Sequence, residues 1–156
     1  MEHYEITSNP FSLQGQIALI TGGGTGIGLA IAHSFVAQGA RVLISGRRED
    51  VLQQAVGQLG ERAAYRVHDV TQTERAEELI DEVEQALGPV TTLVNNAGNQ
   101  VRGPAEELGN DGLQQVMDVH VNGAFALSRA VAQRMLDERE GSILFIASMA
   151  SLMGIP

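Results

Sequence analysis

The sequence predicts an α/β domain in which helices cover both faces of a parallel β-sheet. Five short apolar runs alternate with four segments whose apolar residues recur at helical spacing. Such alternation is typical of right-handed βαβ units. Most glycine and polar residues between elements follow a strand, and parallel strands bring their carboxyl ends to one edge of the sheet, where ligands bind. The pattern therefore predicts a doubly wound sheet with a binding site at that edge.

The composition favours one globular domain and excludes several classes of function. The chain has 156 residues, of which 44% are hydrophobic, and its net charge of −9 argues against a nucleic-acid partner. It contains no cysteine, and its histidines show no ligand spacing, so no metal site is assigned. No apolar run is as long as a membrane span and no signal pattern precedes the first strand, so we expect a cytoplasmic protein without membrane partners.

The stretch Ile17–Gly28 organises the rest of the chain. Before it, residues 1–16 form a polar N-terminal arm, in which Phe11 and Leu13 are expected to contact the sheet. The stretch begins with an unbroken apolar run, which suits a strand buried on both faces, and continues with five glycines within seven residues. A helical pattern follows directly. Because N–H groups at a helix N-terminus attract anions and glycine lets a phosphate approach the backbone, this turn predicts a phosphate site. A glycine turn without a ligand is the alternative.

The remaining patterns place one domain over residues 17–156. The capping-box pattern Thr71–Glu74 predicts the start of the third helix, whose acidic face we expect to be solvated. One continuous helix is predicted over Asp111–Glu138. The other predicted strands are Arg41–Ser45, Ala63–Val67, Thr91–Val94 and Ser142–Ala147, and the second helix is Glu49–Leu59.

Four motifs in this order resemble one protein family. They are the glycine turn Thr21–Gly28, the pair Asp69-Val70 after the third strand, Asn95-Asn-Ala-Gly98 after the fourth strand, and a fifth strand that leads to Ser148. Together they resemble the short-chain dehydrogenase/reductase family over essentially the whole chain. The resemblance implies a Rossmann-type sheet with three layers, a nicotinamide dinucleotide cofactor, and hydride transfer between a carbonyl and an alcohol.

The resemblance also implies which residues bind the cofactor. Asp69 would accept a hydrogen bond from the adenine amino group, with Val70 beside the ring. Asn96, Ala97 and Gly98 would line the ribose and nicotinamide side, although a plain polar turn is the alternative for this motif. At the glycine turn, the implied cofactor-binding residues are Gly22, Thr25, Gly26, Ile27 and Gly28.

The residues after the second strand favour NADP(H) over NAD(H). NAD-specific relatives place an acid there to bond the ribose 2′-hydroxyl, whereas this sequence has Gly46 followed by Arg47 and Arg48. An arginine fork would hold a 2′-phosphate bidentately, and a carboxylate would repel it. Arg47 is therefore the predicted contact to NADP. The alternative is that two arginines merely begin a helix in solvent and that the cofactor is NAD.

The resemblance assigns the reaction centre only in part. Ser148 matches the family serine that hydrogen-bonds the substrate oxygen, and Ser151 is a neighbouring candidate. His120 stands where the family has a catalytic asparagine, and a histidine that packs at the helix surface is the alternative. The family's Tyr-x-x-x-Lys pair, which moves the proton, is absent from these residues, and the chain contains no lysine.

We therefore expect the cofactor-binding portion of an oxidoreductase, with a sheet that is truncated after its fifth strand. That strand would then form an apolar edge. The resemblance implies a longer parent that forms a homo-oligomer and acts on a small carbonyl or alcohol substrate. A non-catalytic dinucleotide-binding or interaction module is the alternative, because the Tyr-x-x-x-Lys pair is missing. An S-adenosylmethionine methyltransferase also begins with a glycine turn, but that class does not explain Asn95–Gly98.

Overall fold

A computed structural model describes residues 9–104, 106–149 and 152–153, which form a five-stranded parallel sheet with helices on both faces. The predicted fold class is confirmed, and each predicted strand is present with ends that differ by no more than about two residues. The strands are β1 (Ile17–Thr21), β2 (Arg41–Gly46), β3 (Ala63–Val67), β4 (Thr92–Asn95) and β5 (Ser142–Phe145). The helices are α1 (Gly26–Ala37), α2 (Glu49–Leu59), α3 (Ala76–Leu87), α4 (Asn110–Met117) and α5 (Ala124–Glu138). A 3₁₀ turn, Thr73–Arg75, precedes α3, and a π-helical segment, Asp118–Gly123, joins α4 to α5.

The first strand lies at the centre of the sheet, whose order is β3-β2-β1-β4-β5. β1 pairs in parallel with β2, where Thr21 faces Ser45, and with β4, where Ile20 faces Val94. The chain changes direction across the sheet between β3 and β4, so the loops after β1 and β4 border a crevice at the carboxyl edge. This topology brings the glycine turn beside Asn95–Gly98.

Two apolar cores lie on opposite faces of the sheet, which explains why β1 is apolar along its length. Alternate residues of a strand point to opposite faces. Leu19 packs in the core formed with α3 and α5, and Ile20 packs in the core formed with α1 and α2. Both side chains are fully buried, and burial of such a side chain contributes about 1.5–3 kcal/mol. The three layers predicted from the sequence are therefore present.

The long helix predicted over Asp111–Glu138 is present, but one part of it is not α-helical. The helix begins at Asn110, and the π-helical segment interrupts it from Asp118 to Gly123. At the end of this segment the backbone packs tightly against the loop after β3, because a Cβ on Gly123 would lie 2.5 Å from the Val70 carbonyl oxygen. Turns of this kind are often found at functional sites.

The prediction that Thr71–Glu74 forms a capping box is wrong. Helix α3 begins at Ala76, after the 3₁₀ turn, and no side chain caps it. Instead, the Asp69 carboxylate accepts hydrogen bonds from the Thr71 N–H at 3.0 Å and from the Thr71 hydroxyl at 2.9 Å. An aspartate two residues before a backbone N–H forms such a turn locally, and this turn takes the place of the predicted cap.

The sequence predicts that the acidic face of α3 is solvated. In the structure, Arg134 of α5 binds part of this face. Arg134 contacts the carboxylates of Glu77 at 3.1 Å, Asp81 at 2.7 Å and Glu84 at 2.9 Å. Isolated surface ion pairs contribute about 0–1 kcal/mol, but one guanidinium shared by three carboxylates forms a network. The network joins two helices that also share the core on that face of the sheet.

The two ends of the described chain differ in how they meet the sheet. Residues 1–8 of the predicted arm lie outside the described residues; beyond them, Leu13 packs on the α1–α2 side, whereas Phe11 is 76% exposed and does not make the expected contact. At the other end, β5 is the outer strand of the described sheet and leaves Leu144 and Phe145 42% and 59% exposed. This is the apolar edge that the sequence predicts.

Within the described residues, no helix has the length and apolar character needed to cross a membrane.

We predict that Gly123→Ala destabilises the protein and that Gly57→Ala does not. The new methyl group at Gly123 meets the Val70 carbonyl, which is backbone and cannot move aside, so the free energy of unfolding should fall by about 1–3 kcal/mol. Gly57 lies in α2 with open space around it, and alanine there should raise the value by about 0.5–1 kcal/mol. Urea denaturation measures both. Equal stabilities of the two variants would contradict the tight contact at Gly123.

Candidate functional site

A cavity of about 430 Å³ opens at the carboxyl edge of the sheet, between the loops that follow β1, β2, β3 and β4. Each of these loops supplies part of the wall, and the π-helical segment adds Val119. The other lining residues are Gly22, Gly24, Thr25, Gly26, Ile27, Gly46, Arg47, Arg48, Val51, Leu52, His68, Asp69, Val70, Asn96, Ala97, Gly98 and Asn99. The structure therefore brings three of the four motifs together around this cavity, and the fourth, the strand that leads to Ser148, does not line it.

The glycine turn forms a cradle with room for a phosphate group. Gly22 has φ +64°, a conformation that favours glycine, and a Cβ there would lie 3.0 Å from the Ala97 Cα. Helix α1 begins at Gly26, and its N-cap residue Thr25 makes no side-chain capping bond. The first N–H groups of the helix are thus left for an anion, and the helix dipole favours negative charge there. These features fit the pyrophosphate of a dinucleotide.

Hydrogen bonds clamp the glycine turn to the loop after β4. The Thr21 hydroxyl accepts from the backbone N–H groups of Asn96 at 3.0 Å and Ala97 at 2.9 Å, and it donates to the Val94 carbonyl at 3.3 Å. The Asn96 side-chain amide donates in turn to the carbonyls of Thr21 at 2.8 Å and Gly22 at 3.2 Å. Asn96 is therefore committed through its Nδ2 to holding the turn, a role that the sequence prediction did not include.

Gly28 lies behind the cavity wall rather than on it. It is buried, and a Cβ there would lie 2.5 Å from the Gly22 carbonyl oxygen and 2.4 Å from the Asn96 Nδ2. The structure thus gives Gly28 a packing role, because it lets α1 approach the glycine turn. Gly22 and Gly26 line the cavity and Gly28 does not, so the predicted contact of Gly28 with the cofactor stays a prediction.

Two arginine side chains lie at the end of the cavity formed by the loop after β2. Arg47 and Arg48 are exposed and line the cavity directly before α2. The ion pairs among the described residues involve Arg66, Arg75 and Arg134 instead. The nearest acid on α2, Glu49, accepts a hydrogen bond from the Tyr65 hydroxyl at 3.1 Å. This end of the cavity therefore presents two guanidinium groups that form no ion pair with a described residue, next to the carboxylates of Glu49 and Asp50 at the start of α2.

The loop after β3 contributes a carboxylate and a buried histidine. Asp69 uses its Oδ1 in the turn to Thr71, and Val70 beside it is 8% exposed. His68 is only 4% exposed, and its Nε2 has no partner within the described part of the chain. Burial lowers the pKa of His68, the nearby Arg75 lowers it further, and the carboxylates of Asp69, Glu78 and Glu82 oppose the shift. The net effect is a lowered pKa of His68, which favours the neutral imidazole.

A second cavity of about 270 Å³ contains the predicted reaction-centre residues. Ser148 and His120 both line it, together with Thr21 and Asn95 at the end of β1 and β4. The Asn95 Nδ2 donates to the Ser128 hydroxyl at 3.1 Å, while its Oδ1 is buried without a partner among the described residues. Ser151, the neighbouring candidate, lies outside the described residues. The two cavities share the wall residues Val70, Ala97 and Val119.

Comparison with known proteins decides which family this arrangement belongs to. A model of the short chain dehydrogenase family matches residues 16–156. The chain belongs to the short-chain dehydrogenase family. The recognition made from the four sequence motifs is therefore confirmed, and the members to which this short-chain dehydrogenase is similar are oxidoreductases.

Two curated relatives and one solved structure show the extent of the similarity. The chain is 39% identical over 147 residues to an NADP-dependent (R)-specific alcohol dehydrogenase of Lentilactobacillus kefiri, covering 92% of this chain and 58% of that protein. It is 36% identical over 149 residues to the gluconate 5-dehydrogenase of Gluconobacter oxydans, covering 94% and 58%. The crystal structure of a putative NAD(P)-dependent gluconate 5-dehydrogenase from Beutenbergia cavernae with bound NADP gives a TM-score of 0.86 at 39% identity, covering 94% and 59%. The chain thus spans a little under three fifths of each of these proteins.

We predict that His68 makes the stability of this short-chain dehydrogenase fall at acidic pH. Because the pKa of His68 is lowered in the folded state, the unfolded chain takes up the proton first. The contribution is fully present above the ordinary histidine pKa of about 6.5 and is lost as the pH falls through the folded value. His68→Phe removes the titrating group and should reduce the loss of unfolding free energy between about pH 7.5 and pH 5.5. His33→Ala, at an exposed site, is the matched control. An unchanged pH dependence in His68→Phe would contradict this assignment.

Proposed function

We propose that residues 17–156 form the NADP(H)-binding portion of an oxidoreductase that interconverts a carbonyl and an alcohol. The observation that carries the proposal is the 430 Å³ cavity, where the glycine cradle and a free pair of arginines lie at different ends. The names of two similar proteins, an NADP-dependent alcohol dehydrogenase and a structure with bound NADP, support the same cofactor.

Different residues of the cavity bind different parts of the dinucleotide in this proposal. The start of α1 and the glycine turn bind the pyrophosphate, and Asp69 with Val70 receives the adenine. Asn96, Ala97 and Gly98 line the ribose and nicotinamide side. When bound, the nicotinamide supplies hydride exchange with the substrate carbon. The chain's own task is to fix the dinucleotide in the crevice beside the cavity that contains Ser148.

Arg47 distinguishes NADP(H) from NAD(H) in this proposal. A guanidinium with free donors forms charge-assisted, bidentate bonds to a phosphate. Gly46 stands where an acid would bond the 2′-hydroxyl of NAD, and Arg47 has no ion-pair partner among the described residues. The charge at this end therefore favours a ligand with a 2′-phosphate.

Ser148 is the residue proposed to hold the substrate oxygen through its hydroxyl. Among the described residues the proton has no equally clear donor: Tyr65 lies on β3, at the opposite side of the sheet from β5, and the sequence contains no lysine. The second candidate function is a dinucleotide-binding module without catalysis of its own. Binding and turnover separate the two.

We predict that Arg47→Ala weakens NADPH about tenfold and changes the affinity for NADH by less than about twofold, because the lost bond is to the 2′-phosphate. Isothermal titration at low ionic strength measures both dissociation constants. Arg102→Ala is the matched control, since among the described residues that exposed arginine bonds only Gln100 in its own loop. Equal weakening of both ligands, or a preference of the unaltered chain for NADH, would overturn the assignment of Arg47.

Turnover tests the catalytic half of the proposal. The chain is incubated with NADP⁺ and a panel of secondary alcohols and polyols, and reduced nicotinamide is followed by absorbance. Ser148→Ala should reduce any kcat about hundredfold, because a donor to the reacting oxygen is lost, and should leave the NADPH dissociation constant unchanged. Turnover that Ser148→Ala leaves unchanged would contradict the role of Ser148.

A further inference from the structure

The imidazole of His120 is tied to the loop that follows β4. Its Nε2 lies 2.9 Å from the Asn99 carbonyl oxygen and 3.2 Å from the Asn99 backbone nitrogen. A protonated Nε2 donates to the carbonyl, and an unprotonated Nε2 accepts from the N–H. Since one nitrogen cannot do both at once, the shorter distance favours donation to the carbonyl. In either tautomer the imidazole forms a hydrogen bond with the backbone of Asn99.

The same ring packs against Gly98. A Cβ on Gly98 would lie 2.9 Å from the His120 Cε1, so the loop approaches the ring as closely as a residue without a side chain allows. Asn99 is also held by its Nδ2, which donates to the Gln115 carbonyl of α4 at 3.0 Å. Asn99 is thus bonded both to Gln115 in α4 and to His120 in the π-helical segment.

These contacts place the ring between the two cavities. Gly98 and Asn99 line the 430 Å³ cavity, while His120 and Ser148 line the 270 Å³ cavity. The ring therefore supports one wall of the dinucleotide cavity from the side on which Ser148 lies. His120 lies within the π-helical segment Asp118–Gly123.

We propose that His120 is a positioning residue for the nicotinamide end of the dinucleotide. Through Nε2 and the edge of its ring it fixes the Gly98–Asn99 backbone, and with it the part of the wall that the nicotinamide ribose contacts. This inference rests on the proposed dinucleotide site. It assigns the side chain a task that depends on a nitrogen at the Nε2 position and not only on the volume of the ring.

Two ligands separate this role from a general effect on folding. NADPH carries the nicotinamide half, and adenosine 2′,5′-bisphosphate lacks it. Isothermal titration of the full chain is carried out with His120→Ala, His120→Phe and His120→Gln, and with His33→Ala as the control at an exposed histidine. His120→Ala and His120→Phe should weaken NADPH about fivefold, as expected for one lost hydrogen bond, and leave the bisphosphate within about twofold. His120→Gln places an amide at similar reach and should restore NADPH binding.

The outcomes distinguish this proposal from the proposed function. Equal weakening of both ligands, or no weakening in His120→Phe, would overturn the role of His120 while leaving the dinucleotide site intact. Failure of the unaltered chain to bind either ligand would overturn the dinucleotide site, and this inference with it.

A double-mutant cycle tests the contact itself. Gly98→Ala should weaken NADPH binding in the unaltered chain, because the methyl group displaces the ring. In the His120→Ala background the methyl group has room, so its effect should be smaller. Additive effects of the two substitutions would contradict the contact between Gly98 and the imidazole.

Discussion

The clamp between Thr21 and Asn96 is the interaction on which the rest of the site depends. The Thr21 side chain is 1% exposed and satisfies two backbone N–H groups of the neighbouring loop, while the Asn96 amide satisfies two carbonyls at the start of the glycine turn. Buried polar groups left without such partners would each cost about 1–3 kcal/mol. Because both loops follow adjacent strands, their mutual bonds set the width of the crevice. The cradle, the start of α1 and the wall at Gly98 all take their positions from this junction.

The fold could be predicted because each of its elements is encoded locally. The apolar run of β1 follows from burial on both faces, and Gly39 and Gly60 mark where helical patterns stop. The π-helical segment could not be predicted in this way, since its residues suit an α-helix; its last residue, Gly123, lies against the Val70 carbonyl. The start of α3 also differs from the sequence prediction: the carboxylate of Asp69 bonds Thr71 and replaces the expected cap.

The candidate site could be predicted where residue type alone identifies a role, but not where a role depends on contacts. Glycine spacing and the two arginines after β2 are sufficient to indicate the cavity wall. Thr21 begins the glycine-turn motif, but the sequence does not reveal the bonds of its buried hydroxyl, and it does not distinguish the buried His68 from an ordinary strand-end residue. Gly28 shows the opposite limit, because a glycine that matches a ligand-binding pattern lies behind the wall, where it makes room for another part of the protein.

The central place of β1 has a consequence for how the chain is made. β1 and β2 are close in sequence, but the Thr21 hydroxyl meets Asn96 across 75 positions. Closing such a separation is entropically costly and slows the pairing of parallel strands. On the ribosome, the half of the sheet formed by β1, β2 and β3 emerges first, with one edge of β1 and the face under α3 and α5 still uncovered. A nascent chain at this stage exposes Leu19 and an unpaired strand edge, and such surfaces are aggregation-prone and recognised by chaperones. The crevice at the carboxyl edge of the sheet forms only after β4 has paired with β1.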